Sequence, residues 1–263
     1  MTHMLPKLAH APVISIIGQV RFSPVLSIES YVPKIQEELR KRGYPKFEKF
    51  TQQSLAFGPD GGAMPPTVAY SWRFSDRDDS QIAILNTNAI SLYSGLNQTA
   101  QEFDEALLNV ISPVSETVGP ELIERIGLRY INVIQPSATT EQNGGLSEYI
   151  QQGLLGLDLS KAGAKSSAWH IYSVNHTEYG ILIFQARHPI SEPFLPPDVL
   201  TGPVPKMRPL RNYPSLVLDL DHFVAINAPF AIDLIRTTIE NFHSVIDWAL
   251  ILAVKESALA EWR

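Results

Sequence analysis

The chain has no cysteine among its 263 residues. Disulfides, thiolate nucleophiles, zinc–thiolate sites and iron–sulfur clusters are therefore excluded. Long apolar runs are missing too. A membrane span needs roughly 20 such residues, and the longest candidate, near Trp248–Val254, is flanked by Asp247 and Lys255. The opening "MTHMLPKLAHAPVISIIGQV" lacks a charged segment followed by a long apolar run and a small-residue cleavage site, so no secretory signal is expected. The expectation is a cytoplasmic protein with no membrane association. Basic residues are in deficit, 21 Lys and Arg against 27 Asp and Glu, for a formal net charge of −6. Broad phosphate-backbone binding requires clustered Lys and Arg, so nucleic acid is a disfavoured partner.

Catalytic signatures are also lacking. There is no G-x-S-x-G, no G-x-x-x-x-G-K-[ST] and no G-x-G-x-x-G. "GPDGG" at Gly58–Gly62 is a glycine turn, because no Lys-Ser/Thr and no helix start follow it. The seven histidines show neither H-x-x-x-H nor H-E-x-x-H spacing, which leaves a zinc helix unsupported. His170 and His176 flank a hairpin and could converge, as could many hairpin residues. No cofactor is expected, and the balance leans away from an enzyme.

What is present is a globular pattern. Apolar residues make up 44% of the chain and charged residues 18%. The length suffices for one large domain or two small ones with a sizeable core. Val13–Val25 is β-branched and apolar, and predicts a strand. Ser27–Arg42 has a helical stripe at Tyr31, Ile35 and Leu39, ended by Gly43. Strand-like runs follow at Phe47–Phe57, Thr67–Phe74, Gln81–Leu85 and Ala89–Tyr93. Thr99–Val118 predicts a helix, with Thr99 and Glu102 at capping-box spacing.

The order then begins again. Ile126–Ile134 predicts a strand, Leu146–Leu155 a short helix, and Trp169–Val174, Gly180–Ala186 and Leu216–Ala225 three more strands. Ala231–Trp262 predicts one long helix. "GQVRF" (Gly18–Phe22) echoes "IGLRY" (Ile126–Tyr130), and "ILNTNAISL" (Ile84–Leu92) echoes "VLDLDHFVA" (Val217–Ala225). The fold class expected is α+β, with two tandem β-α-β-β-β(-β)-α halves, residues 1–120 and 121–263, intimately joined. They would form a curved antiparallel sheet with helices on one face. That arrangement resembles the TATA-binding-protein saddle or a helix-grip fold, with tandem ferredoxin-like domains as the alternative.

At "LIERIGLRYINVI" (Leu122–Ile134) the sequence resembles a sporadically distributed bacterial family of proteins of about this length, whose function is not established. "PVISIIGQVRFSP", "NTNAISL" and "LDLDHF" fall in the expected order, and the likeness covers nearly the whole chain. The resemblance implies a bacterial cytosolic protein of an accessory gene cluster. It brings no catalytic residue with it.

Three features are site candidates. In "SLVLDLDHFVAI", Asp219 and Asp221 are two apart on a strand and share one face, with His222 on the other. Two carboxylates can ligate a divalent cation, although calcium prefers six or more oxygens. The sequence echo would pair them with Asn86 and Asn88. The more economical reading is that they pair with arginines on neighbouring strands. Arg21 and Arg129 are embedded in apolar strands and so demand partners, either an internal carboxylate or a bound anion. Finally, His188–Pro214 clusters prolines at 189, 193, 196, 197, 203, 205, 209 and 214, together with Lys206, Arg208 and Arg211. Loops of this length are functional or disordered, and an apolar patch around Phe194, Leu195 and Leu200 would suit a partner surface. The functional expectation is a non-catalytic binding protein that engages a protein partner or a small anionic ligand, with a homodimer as one arrangement. A metal-assisted or nucleic-acid-processing enzyme using Asp219 and Asp221 is the alternative.

Overall fold

The structure, a computed structural model, describes residues 8–54, 67–137, 145–164, 168–188, 195–196, 199 and 215–263. Nine strands form one open antiparallel sheet: β1 (Val13–Phe22), β2 (Lys46–Ser54), β3 (Thr67–Ser75), β4 (Gln81–Asn86), β5 (Ala89–Ser94), β6 (Leu122–Ile134), β7 (Trp169–Thr177), β8 (Gly180–His188) and β9 (Leu216–Pro229). Their order across the sheet is β2-β3-β4-β5-β1-β6-β9-β8-β7. The first five strands thus lie on one side of the centre and the last four on the other, with β1 and β6 side by side between them. The chain is α+β, as expected from its alternation of strand-like and helix-like periods.

Among the described residues, four α-helices with assigned bounds accompany the sheet: α1 (Val32–Lys41), α2 (Ala100–Val118), α3 (Ile232–Ala253) and α4 (Glu256–Trp262). Their apolar sides and one face of the sheet make a single core. Ile35 and Leu39 of α1, Phe103 and Leu107 of α2, Ile239 and Phe242 of α3 and Trp262 of α4 are buried with Val20, Leu92, Leu128 and Leu218 of the strands. Gly18 on β1 is small for a packing reason. A Cβ there would come within 2.7 Å of the Leu107 side chain.

Local chemistry sets the helix limits. Thr99 Oγ1 accepts the Glu102 N–H at 3.1 Å, and the Glu102 carboxylate accepts the Thr99 N–H at 2.6 Å, completing the expected capping box. Gly119 ends α2 at φ 63°, a left-handed conformation that glycine adopts without a Cβ clash. Pro33 lies in the first turn of α1, where no intrahelical N–H bond is lost. The preceding residues Ile28–Tyr31 form a 3-10 turn, so the helix expected over Ser27–Arg42 starts later.

Two further expectations are corrected. Residues Ala231–Trp262 do not form one helix. Val254 bridges to Ile150, the Lys255 N–H donates to the Tyr149 carbonyl at 2.7 Å, and Lys255 Nζ donates to the Ser147 carbonyl at 2.6 Å. The segment near residue 150 thereby claims backbone groups that a continuous helix would use internally, and α3 and α4 separate there. That same segment is not the expected helix over Leu146–Leu155. It forms two 3-10 turns, Gly145–Glu148 and Gln152–Leu154.

Candidate functional site on the open face of the sheet

The sheet face away from the helices carries the charged residues. On β6, side chains at 125, 127 and 129 share this face by strand alternation. The register places Arg129 opposite Ile17 of β1 and Asp221 of β9, and Ile131 opposite Asp219. Each aspartate of β9 is therefore within a step of an arginine of β6.

Arg129 and Asp219 form a two-point pair. Arg129 Nε donates to Asp219 Oδ1 and Nη2 donates to Oδ2, both at 2.7 Å. Asp219 is buried. Burial strengthens such a pair geometrically but also desolvates both ions, so its net stabilisation is modest while the loss of one partner is costly.

Arg125 is held more loosely. Its Nη2 lies 3.6 Å from Asp221 Oδ1 and its Nη1 donates to Gln19 Oε1 at 3.3 Å. The guanidinium also covers the Phe223 ring at 4.4 Å. Gln19 Nε2 in turn donates to Ser91 Oγ at 3.0 Å, so β5, β1 and β6 are tied across this face. Gly127 makes the room for Arg125, since a Cβ there would stand 2.6 Å from Nη1. Burial pulls the Arg125 pKa below its ordinary value. Asp221 opposes this shift, while the positive charges of Arg21 and Arg129 add to it.

A polar cavity opens at this point, lined by Gln19, Tyr93, Arg125, Arg129, Asp221 and Val199 among others, with an empty volume of about 570 Å³ that includes its mouth. Beside it is a small apolar cluster. Leu195 and Val199 are buried against Ile14, Ile17, Ile131, Val133 and Val217. The described part of the Pro-rich segment thus packs on the open face next to the arginines.

The structure brings Asp219, Asp221 and Arg129 together as the strand pattern suggested, with His222 on the opposite face. Arg21 is exposed and sits opposite Arg125 in the register. Lys206, Arg208 and Arg211, together with Phe194 and Leu200, lie outside the described residues. Asn86 is the last residue of β4 and Asn88 lies in the β4–β5 turn, so neither is placed mid-strand like the aspartates. His170 Nε2 pairs with Gln185 Oε1 at 3.0 Å, and His176 is six positions further along β7. Among the described residues no group of three or more His, Asp and Glu is gathered as a metal site would require.

Arg125 is the central residue that sequence reasoning missed. The strand expected from Ile126 starts four positions too late and leaves Arg125 just outside it, whereas β6 starts at Leu122. Its signal was available: Arg125 and Arg129 are four apart, an even spacing that puts both on one strand face. No protein-family model matches this chain, and no curated protein matches it.

Proposed function

We propose that this chain is a non-catalytic binding protein whose open sheet face takes a small anionic ligand or the acidic group of a protein partner. The observation that supports the reading is a charge imbalance around one cavity. Two guanidinium groups, Arg125 and Arg129, line it with one carboxylate, Asp221, while Arg21 and Asp219 lie on the same face outside the lining. Arg129 is held at two points by Asp219, while the 3.6 Å contact of Arg125 with Asp221 is long enough for an incoming carboxylate or phosphate to replace it. The enzyme alternative through Asp219 and Asp221 has less support, because Arg129 already engages both oxygens of Asp219.

The same proposal includes an origin by tandem duplication, with residues 1–120 and 121–263 as the two halves of a saddle-like or helix-grip-like sheet. The sequence echoes and the order of strands about β1 and β6 support it. It also places the protein in the cytosol of a bacterium, as the product of an accessory gene cluster, on the strength of the "ERIGLRYIN" resemblance. Native mass spectrometry of protein purified without chelator, set against its denatured mass, tests the binding reading. A retained anion that is lost in Arg125→Gln is the expected result. A bare chain that also ignores added phosphate and dicarboxylates, with no co-purifying protein, overturns it.

A further inference from the structure

Inside the molecule, polar groups find partners. Tyr130 Oη lies 2.9 Å from His243 Nδ1, and His243 Nε2 lies 2.7 Å from Asp104 Oδ1, a chain that links β6, α3 and α2. The last strand of the sheet is different. β7 pairs only with β8 and ends the nine-strand order.

The hairpin decides which backbone groups of β7 point outward. Thr177 pairs with Gly180 across a two-residue turn, so both of its backbone groups bond to β8. Alternation then turns the odd-numbered residues of β7 toward β8. The N–H and C=O groups of His170, Tyr172, Val174 and His176 are left aimed away from the sheet. Among the described residues these groups have no hydrogen-bond partner.

Edge strands are ordinarily blunted by charge, proline or a bulge. The other edge, β2, carries Lys46, Glu48 and Lys49. β7, "WHIYSVNHT", has no Lys, Arg, Asp, Glu, Pro or Gly, and its register with β8 runs without a shift. Its outward residues are exposed, Tyr172 to 55% and Val174 to 49%. The ladder from Tyr172 to Gln185 to Asp219 puts these side chains on the open face of the sheet.

The strand also complements itself. Tyr172 and Val174 flank Ser173, and His170 and His176 lie three positions on either side of it. An antiparallel copy turned about a two-fold axis at Ser173 pairs Tyr172 with Val174 and His170 with His176. All four residues present outward backbone groups, so each pair exchanges both of its hydrogen bonds. Tyr172 with Val174 is an aromatic–β-branched combination, which favours cross-strand pairing, and no carboxylate, ammonium or guanidinium of β7 meets its like. We infer that β7 is the interface of a homodimer, in which a second copy of this chain adds its own β7 antiparallel about Ser173 and the two sheets become one. The contact is isologous, so it closes at two copies. It stands apart from the arginine cavity, which is near the centre of the sheet.

Sedimentation velocity of the whole protein tests the inference. A strand-to-strand contact is small, so the dimer should emerge as concentration rises from about 1 to about 200 µM. Val174→Pro removes an outward N–H and none that bonds β8, so it should hold the protein at the mass of one chain with its far-UV spectrum unchanged. The absence of cysteine gives a second test. About the two-fold axis Ser173 faces its own copy at a non-hydrogen-bonded position, where Cα atoms stand about 4.5 Å apart, within reach of a disulfide. Ser173→Cys should crosslink to twice the chain mass on mild oxidation, and Thr51→Cys on the opposite edge should not. Arg125→Gln should dimerise as the unaltered protein does, so failure here is distinct from failure of the arginine site. A single-chain mass at about 200 µM, a dimer that survives Val174→Pro, or a Ser173→Cys variant that crosslinks no faster than Thr51→Cys overturns the proposal. Should Val174→Pro unfold, the two cysteine variants decide alone.

Discussion

Arg129 and Asp219 meet across β6 and β9 at two matched contacts of 2.7 Å, with the aspartate buried. Geometry this tight makes the pair a lock between neighbouring strands. Removing one partner strands the other as a buried charge. Asp219→Ala should therefore destabilise the fold by about 3–5 kcal/mol in urea denaturation. Asp219→Leu combined with Arg129→Met should recover most of that loss, because it buries no unpaired charge. A single substitution costing less than about 1 kcal/mol would show that the pair is not an internal lock.

Arg125 should behave differently from Arg129. It makes a long ionic contact and covers an aromatic ring, and its loss leaves Asp221 near open solvent. Arg125→Gln should shift stability by no more than about 1 kcal/mol while removing retained or added anion. Gly127→Ala should weaken anion binding too, by displacing the guanidinium at 2.6 Å from the new methyl group. Anion binding that is indifferent to both changes would separate the arginines from any ligand role.

His222 gives the protein an acid-sensitive element. It is fully buried, lies tilted against Phe242 with ring centroids 4.1 Å apart, and pairs through Nε2 with Thr177 Oγ1 at 2.9 Å, while Nδ1 has no hydrogen-bond partner among the described residues. Burial lowers its pKa from 6.5 to about 4. The unfolded chain thus binds the proton more tightly than the folded one. The contribution of neutral His222 is complete above pH 6.5 and is lost as pH falls toward 4. A loss of about 2–3 kcal/mol across that window is expected in chemical denaturation, on the scale of 1.36 kcal/mol per pKa unit. In His222→Gln the slope over that window should flatten; an unchanged slope would assign the acid sensitivity elsewhere.

The start of α2 offers a simpler test. Thr99→Ala removes a side-chain acceptor for the Glu102 N–H and should cost about 1 kcal/mol, read as a lower midpoint with an unchanged denaturant slope. Restoring the cap with Thr99→Ser should recover most of it.

The capping box was legible because it depends on residues three apart. The strands were legible where alternation was clear, as at Thr67–Phe74, and so was the shared face of Asp219 and Asp221. What the sequence concealed depends on distant partners. The break at Val254 has no local mark, neither glycine nor proline, and arises because residues near 150 take its backbone bonds. The Asp104–His243–Tyr130 chain joins positions more than 100 residues apart, 104 to 243 and 130 to 243, which no spacing rule connects. Arg125 fell just outside the expected strand, since a charged residue beside Glu124 looks like a loop until the ladder to β1 and β9 is seen.

The centre of the sheet has a kinetic consequence. β1 and β6 pair Gly18 with Leu128, residues that the chain separates by 110 positions, and the β1–β5 and β6–β9 ladders also join distant segments, whereas β2–β3, β3–β4, β4–β5 and β7–β8 join strands that follow one another in sequence. The outer hairpins can zip early, but the central ladder must wait for a long loop to close. Refolding should therefore show fast formation of local strand structure and a slower phase in which the Tyr130–His243 neighbourhood becomes protected from hydrogen exchange. The last bonds to form would be the ones that shape both faces of β6 at once.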